Sequence, residues 1–415
     1  VRLGRQGFQE LDGSFPFAQY TTNQLYRRRS YARQQPRSLP SIHITAHGPN
    51  RAPIIDLVRA RKIQLLPAVT TTIVACSLAL PASSLASASR VLLVGDSITE
   101  SLPLRTVTWQ TLASQVGAKL HSRGFRVGTA RGWIPIHSSW DSPINGVSRQ
   151  PANPWQLSGP WLELGFQHLG FPAYGPEGLS ATGSPGATAQ IATRTAHSTI
   201  FYTAIKDGGR LSITTPRERR NFSTSARVPT GREIAINGSP ISLSISGGPV
   251  RISGLVEADP QSMTLAQSAR SGAMAIDSYK PAQQQARRQL KASLTVIMFG
   301  TNEENRELVG SRYARSAFDI GIYQQAKLSR PGRCVVVPHA PNIHSWSQQA
   351  AFRAVARRAA ARVNCLYRPW LASVWNGSTS RTKGLTYDGI HPTPKGYGVL
   401  SSALARGLAT VLPRN

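Results

Sequence analysis

Apolar residues run without a polar break through Val91-Leu92-Leu93-Val94, after Arg90, and the run stops at Gly95. Two similar stretches follow late in the chain, Leu294–Phe299 and Cys334–Val337. Short runs that are apolar on both faces suit the middle of a parallel sheet covered by helices. Helical patterns fall around them, over Gln283–Lys291, Tyr313–Lys327, Gln348–Val363 and a terminal Lys395–Leu412. Strands alternating with helices predict an α/β layer fold.

The middle of the chain has a different rhythm. From about Gly128 to Asp259 glycine, proline, serine and threonine are dense, and short alternating runs replace helices. Ile200–Ala204, Arg210–Thr214, Glu233–Ile236, Ile241–Ile245 and Val250–Val256 read as strands. Asp207-Gly208-Gly209, Asn237-Gly238 and Gly247-Gly248-Pro249 are the turns between them. Closely spaced short strands predict a β-sandwich or jelly roll. The expected organisation is an α/β domain over 89–127 and 262–415, interrupted by a β-rich module over 128–261. Such insertions are tolerated where their two ends lie close together.

Residues 1–57 are Arg-rich and lack a sustained period, so they read as a non-structural upstream segment. Over 58–88 the pattern is that of a secretory signal: Arg59, Arg61 and Lys62, an apolar run from Ile63 to Leu80, then Ala86-Ser87-Ala88. Ile73-Val74-Ala75-Cys76 also matches a lipobox, in which Cys76 would be lipidated and tether the protein to a membrane. Both readings predict export to the periplasm or cell envelope, or secretion.

Charge changes the picture less than its size suggests. The chain carries 48 Lys+Arg against 19 Asp+Glu, a formal +29. Without residues 1–88 the balance is still 37 against 16, or +21. Nucleic acid, an anionic membrane surface or an acidic polymer would all suit that excess. No zinc spacing, P-loop, dinucleotide fingerprint or basic heptad region accompanies it, so nucleic acid is not expected as a partner. Cys334 and Cys365 flank a strand–helix–strand stretch. In an oxidising compartment they could form a disulfide, and two separate buried thiols are the equal alternative.

Three short motifs sit at strand ends. Gly95-Asp96-Ser97 places a hydroxyl at the carboxyl end of a strand, the edge where open α/β sheets bind ligands. Alone, Asp96 or Ser97 would simply cap a helix. Asp388-Gly389-Ile390-His391 puts a carboxylate and an imidazole within one turn of each other, the relation a serine nucleophile needs of its base. Alone, it is an ordinary surface turn. In Phe299-Gly300-Thr301-Asn302 a buried-type strand ends before an asparagine whose amide could donate to an oxyanion. Alone, that amide satisfies its own loop.

In this order the three motifs resemble those of the SGNH (GDSL-type) hydrolase superfamily, over roughly 90–127 and 262–415. The resemblance implies a flavodoxin-like three-layer fold with an inserted all-β domain. It implies Ser97 as nucleophile, His391 as general base and then acid, and Asp388 as orienter. The oxyanion hole would be the Ser97 amide, the Gly272 amide from Ser271-Gly272-Ala273, and the Asn302 side chain. Glu303 stands where the superfamily usually has aspartate. Gly-Thr-Asn-Glu resembles the form in bacterial peptidoglycan O-acetylesterases, exported enzymes with an inserted carbohydrate-binding-like module, and Gly132-Trp133-Ile134-Pro135 resembles a stretch near its start. The implied partner is an acetylated polysaccharide, foremost peptidoglycan, and no metal or organic cofactor is needed. Deacetylation of xylan or an exopolysaccharide, and O-acetyl transfer, use the same triad. A non-catalytic carbohydrate-binding protein is the alternative from another class. Trp109, Trp133, Trp140, Trp155 and Trp161 could stack on sugars, though core packing is the simpler role for most. His339, His344 and Trp346 could line the pocket mouth. Arg353, Arg357, Arg358 and Arg362 read as a solvated helix face.

Overall fold

The computed structural model describes residues 89–101, 111–128, 131–136, 154–164, 176, 180–270, 272–279, 281–308, 310–330, 332–338, 346–372, 374–375 and 383–413. The upstream segment, the signal-like stretch with Cys76, and Trp109, Trp140, His339 and His344 lie outside these residues, as does the side chain of Trp346.

Five parallel strands form the central sheet: β1 (Arg90–Gly95), β2 (Thr264–Ala269), β3 (Leu294–Met298), β4 (Arg333–Val336) and β5 (Leu366–Tyr367). Their spatial order is β2-β1-β3-β4-β5. That is the doubly wound flavodoxin-like order, whose strand sequence reverses direction at β1/β3. Among the described residues the α-helices are α1 (Ser97–Glu100), α2 (Leu112–His121), α3 (Pro281–Gln289), α4 (Thr301–Leu308), α5 (Ala314–Leu328), α6 (Trp346–Arg362) and α7 (Pro394–Leu408). Alternation along β1 divides the core in two, because successive strand side chains point to opposite faces. Val91 and Leu93 pack with Leu112, Val116 and Leu120 of α2 and Leu400, Leu404 and Leu408 of α7. Leu92 and Val94 pack with Phe318 and Ile322 of α5 and Phe352 and Val355 of α6.

Cys334 and Cys365 form a disulfide, with Cα atoms 4.9 Å apart, that ties β4 to the residue preceding β5. It closes a loop spanning a sequence separation of 31. Chain-entropy arithmetic for such a loop gives about 3–4 kcal/mol of stabilisation. Replacing both cysteines with alanine is therefore expected to lower unfolding free energy by about that amount in urea titrations. An unchanged midpoint would contradict this.

Between α2 and β2 the chain builds two antiparallel sheets. One has six strands and includes His197–Ala204, Thr230–Asn237 and Val250–Glu257, and the other has five, including Arg210–Thr214 and Ile241–Ser246. Ile200, Ile252 and Leu255 from the first share a core with Leu211, Ile213, Leu243 and Ile245 from the second, which makes a sandwich. The chain leaves and re-enters the α/β layer at adjacent points: Val127 and Met263 bridge in parallel, and the Gly128 amide donates to the Met263 carbonyl at 3.0 Å. Beside them Arg131 meets the fully buried Glu257 carboxylate at 2.7 Å. Trp133 is buried against Phe201 in the same cluster as Leu92 and Val94, so the sandwich packs directly on the parallel sheet. Trp155 is buried too, and both of these tryptophans belong to the core rather than to a sugar platform.

Candidate active site

The parallel register sets three strand ends level: Gly95 pairs with Ala269 on one side and with Met298 on the other. The segments leaving these three ends therefore meet at one edge of the sheet, at the β1/β3 switch point. After β1 comes α1. Asp96 is its N-cap, accepting from the Ile98 amide at 3.1 Å, so the capping role falls to Asp96 and leaves the Ser97 hydroxyl for another partner. A side chain on Gly95 would strike the Thr99 hydroxyl and the Met298 carbonyl, at 2.0 and 2.5 Å, which is why the strand ends on glycine. Three contacts brace this short helix. Tyr397 of α7, fully buried, donates to the Ile98 carbonyl at 3.0 Å. Gln267 of β2 donates to the Glu100 carbonyl at 3.1 Å. The Leu112 amide donates to the Ser101 hydroxyl at 2.7 Å. Burial, with Asp96 and Glu100 nearby, pushes the Tyr397 phenol well up, so it stays a donor.

Across the cleft, Asp388 folds its own loop. One oxygen, Oδ1, accepts from the Ile390 and His391 amides at 2.9 and 2.7 Å. The other, Oδ2, lies 2.6 Å from His391 Nδ1. Nδ1–H donating to that carboxylate leaves Nε2 as the acceptor, and the Ser97 hydroxyl lies 3.0 Å from it. Burial alone would raise the Asp388 carboxyl, but the His391 ring and the two backbone amides outweigh burial and hold it well below the usual carboxylate range. A serine, an imidazole and an ionised carboxylate are thus in line, the geometry that can activate a hydroxyl for attack on a carbonyl. Ser97 is 4% exposed.

The remaining two candidates meet on the loop after β2. Its first residue is tied to the site, the Arg270 amide donating to the Gly95 carbonyl at 3.3 Å. Gly272 has φ +70° and faces open space, so its conformation rather than lack of room requires glycine. Asn302, in the first turn of α4, donates Nδ2 to the Ala273 carbonyl at 2.8 Å. One of its two amide hydrogens is used there, which leaves one for a ligand. Glu303 beside it is fully buried and accepts from the Ala275 amide at 2.6 Å, clamping the same loop. These clamps, and the bracing by Tyr397 and Gln267, are not announced by any motif. The signal for Tyr397 is a lone polar handle on the apolar stripe Tyr397, Leu400, Leu404, Leu408. Asn302→Ala is expected to lower kcat for an acetyl ester by on the order of 10²–10³-fold with KM little changed, as loss of one oxyanion donor does. Steady-state kinetics check this, and a full-rate variant would remove Asn302 from the site. Among the described residues no group of three or more His, Cys, Asp or Glu side chains is placed to hold a metal.

Comparison with known proteins bears on this geometry. Residues 253–399 match the model of the GDSL-like Lipase/Acylhydrolase family. That segment contains Gly272, Asn302, Asp388 and His391, and Ser97 lies upstream of it. A solved peptidoglycan O-acetylesterase superposes with a TM-score of 0.62 at 14% identity, over 78% of this chain and 91% of that one. At that identity what is shared is the fold, antiparallel sheets included. An acetyl xylan esterase from Geobacillus stearothermophilus matches over 37% of this chain and 77% of its own, with a TM-score of 0.31 and 17% identity. No curated protein sequence matches the chain.

Proposed function

We propose that this chain, an ester-hydrolysing enzyme of the SGNH hydrolase superfamily, is an exported esterase that removes O-acetyl groups from a cell-wall polysaccharide, foremost peptidoglycan. The observation that carries the reading is the line from Ser97 Oγ to His391 Nε2, 3.0 Å, and from His391 Nδ1 to Asp388, 2.6 Å. His391 takes the Ser97 proton as Oγ attacks the ester carbonyl. The Ser97 and Gly272 amides and the Asn302 amide receive the oxyanion. His391 then returns the proton to the leaving sugar oxygen, and an acetyl-serine remains. Water, deprotonated by His391, attacks that ester; acetate departs and Ser97 recovers its proton. The two donors besides the Ser97 amide sit on separate elements that the Ala273 and Ala275 contacts lock together, so they need no rearrangement as charge develops.

Two further observations support the finer reading. The disulfide suits an oxidising compartment, and therefore export. The likeness to a peptidoglycan O-acetylesterase extends over the sandwich as well as the α/β layer. The test is acetate release by the purified protein from O-acetylated peptidoglycan beside acetylated xylan. Release from peptidoglycan about tenfold or more above xylan is expected, a difference of about 1.4 kcal/mol in transition-state binding. Activity on xylan alone would keep the esterase and discard the wall substrate. Acetyl transfer to a sugar hydroxyl exceeding hydrolysis would replace water as the second acceptor.

A further inference from the structure

The loop that carries Asp388 and His391 is the turn of a small hairpin. Thr386 and Pro392 bridge antiparallel. Hydrogen bonds of 2.9 Å flank the bridge, from the Thr393 amide to the Leu385 carbonyl and from the Tyr387 amide to the His391 carbonyl. Tyr387 and His391 are therefore the next facing pair. Facing residues of an antiparallel pair put their side chains on the same side, with Cβ atoms about 4.5–5.5 Å apart. Burial follows that alternation. Thr386 and Pro392 turn inward and are buried, whereas Tyr387 and His391 are not. His391 reaches Ser97 from its side of the hairpin, so the Tyr387 ring stands beside the base at the cleft. It is also the outer of the two, 48% exposed against 20% for the His391 side chain.

A single exposed tyrosine ordinarily needs no explanation, because scattered apolar side chains are normal on a surface. The chemistry at its neighbour sets Tyr387 apart. In the acylation step the carbonyl oxygen faces Gly272 and Asn302, and the leaving oxygen must face His391 Nε2, which returns the proton to it. The departing alcohol is thus held on the His391 side of the cleft, along the hairpin face that carries Tyr387.

We infer that Tyr387 is a substrate-binding residue for the leaving alcohol, and that its ring is the platform for one pyranose unit. A pyranose can lay its axial C–H groups on a flat aromatic face and keep its hydroxyls in water, which suits a half-exposed ring with a polar tip. A short alkyl alcohol is too small to cover that face. The inference rests on the reading of the substrate as a sugar acetate, and it holds for peptidoglycan and xylan alike. It also confines Tyr387 to one half of the reaction. The ring serves acylation, and once the sugar has left it takes no part in hydrolysis of the acetyl-serine.

Methyl 6-O-acetyl-glucopyranoside and ethyl acetate are the probes, used with the full chain and with its Tyr387→Ala and Tyr387→Phe variants. The unsubstituted protein should favour the glucoside. In Tyr387→Ala the ratio of kcat/KM for the glucoside to that for ethyl acetate should fall about tenfold. The fall should come mostly through KM, because stacking is made before attack as well as during it. Tyr387→Phe keeps the ring and should hold the ratio within about twofold of the unsubstituted value. Taking a ratio cancels any difference in the amount of folded enzyme. Rapid-quench mass spectrometry of the acetyl-enzyme gives a second readout, and its hydrolysis should proceed at one rate in all three proteins. A preference for the glucoside that survives in Tyr387→Ala would overturn the platform alone. So would an equal loss on both esters, slower hydrolysis of the acetyl-enzyme in Tyr387→Ala, or a Tyr387→Phe ratio as low as that of Tyr387→Ala. An unsubstituted protein with no preference for the glucoside would overturn the sugar-acetate reading, and the platform with it.

Discussion

Ser97→Ala is expected to lower kcat on a small acetyl ester by on the order of 10⁴-fold or more while leaving the fold intact. The reasons lie in how α1 is built. Its cap is Asp96, and its other restraints are the Tyr397 hydroxyl on the Ile98 carbonyl and Gln267 on the Glu100 carbonyl. None of these uses the Ser97 hydroxyl, whose contact is His391 Nε2 at 3.0 Å. Removing it takes away the attacking atom and little else. The oxyanion donors stay in place, so a residual rate above that in water is expected. Kinetics beside circular dichroism separate the two effects. A variant that keeps a tenth of the rate with native ellipticity would move the nucleophile elsewhere.

Asp388→Asn is expected to cost on the order of 10³–10⁴-fold in kcat, through the tautomer of His391. Two backbone amides, from Ile390 and His391, point at Oδ1 of Asp388 and require an oxygen there. An asparagine satisfies them only by turning its nitrogen toward the ring. That nitrogen would donate to Nδ1 and force the ring proton onto Nε2, where it can no longer accept from Ser97. The loop survives and the base is lost. Stability should follow pH accordingly. The Asp388 carboxyl is depressed in the folded protein, so its stabilising contribution is present above the unfolded value of about 3.9 and is lost as pH falls toward the lower folded value. The stability difference between the native protein and Asp388→Asn should therefore narrow below about pH 4. Urea midpoints measured from neutral to acid check this, and a gap that widens with acid would refute it.

Much of the fold is readable from residue order, for physical reasons. β1, β3 and β4 are buried on both faces, and such strands announce themselves as apolar runs. β2 does not. It is an edge strand with the sequence Thr-Leu-Ala-Gln-Ser-Ala, and its Gln267 is polar because it reaches across to brace α1 and α2. α4 hides for a related reason. Its sequence Thr-Asn-Glu-Glu-Asn-Arg-Glu-Leu has almost no apolar stripe, and Glu303 and Glu304 are buried. β5 is two residues long and carries no pattern. In the sandwich the longer strands are legible, whereas Ser180–Gly183, Thr188–Ile191 and Arg219–Ser223 are built from small or polar residues and are not. Ser97, Asp388 and His391 can be found because motif spacing marks them. That Asp96, and not Ser97, caps α1 needs coordinates.

The most direct measurement is to treat the protein with a fluorophosphonate and locate the adduct by peptide mass spectrometry. Such reagents capture a serine only where a base has activated it. One adduct per chain is expected, on Ser97, much reduced in His391→Ala and in Asp388→Asn. An unlabelled protein that still hydrolyses acetyl esters, or an adduct on another serine, would contradict the triad.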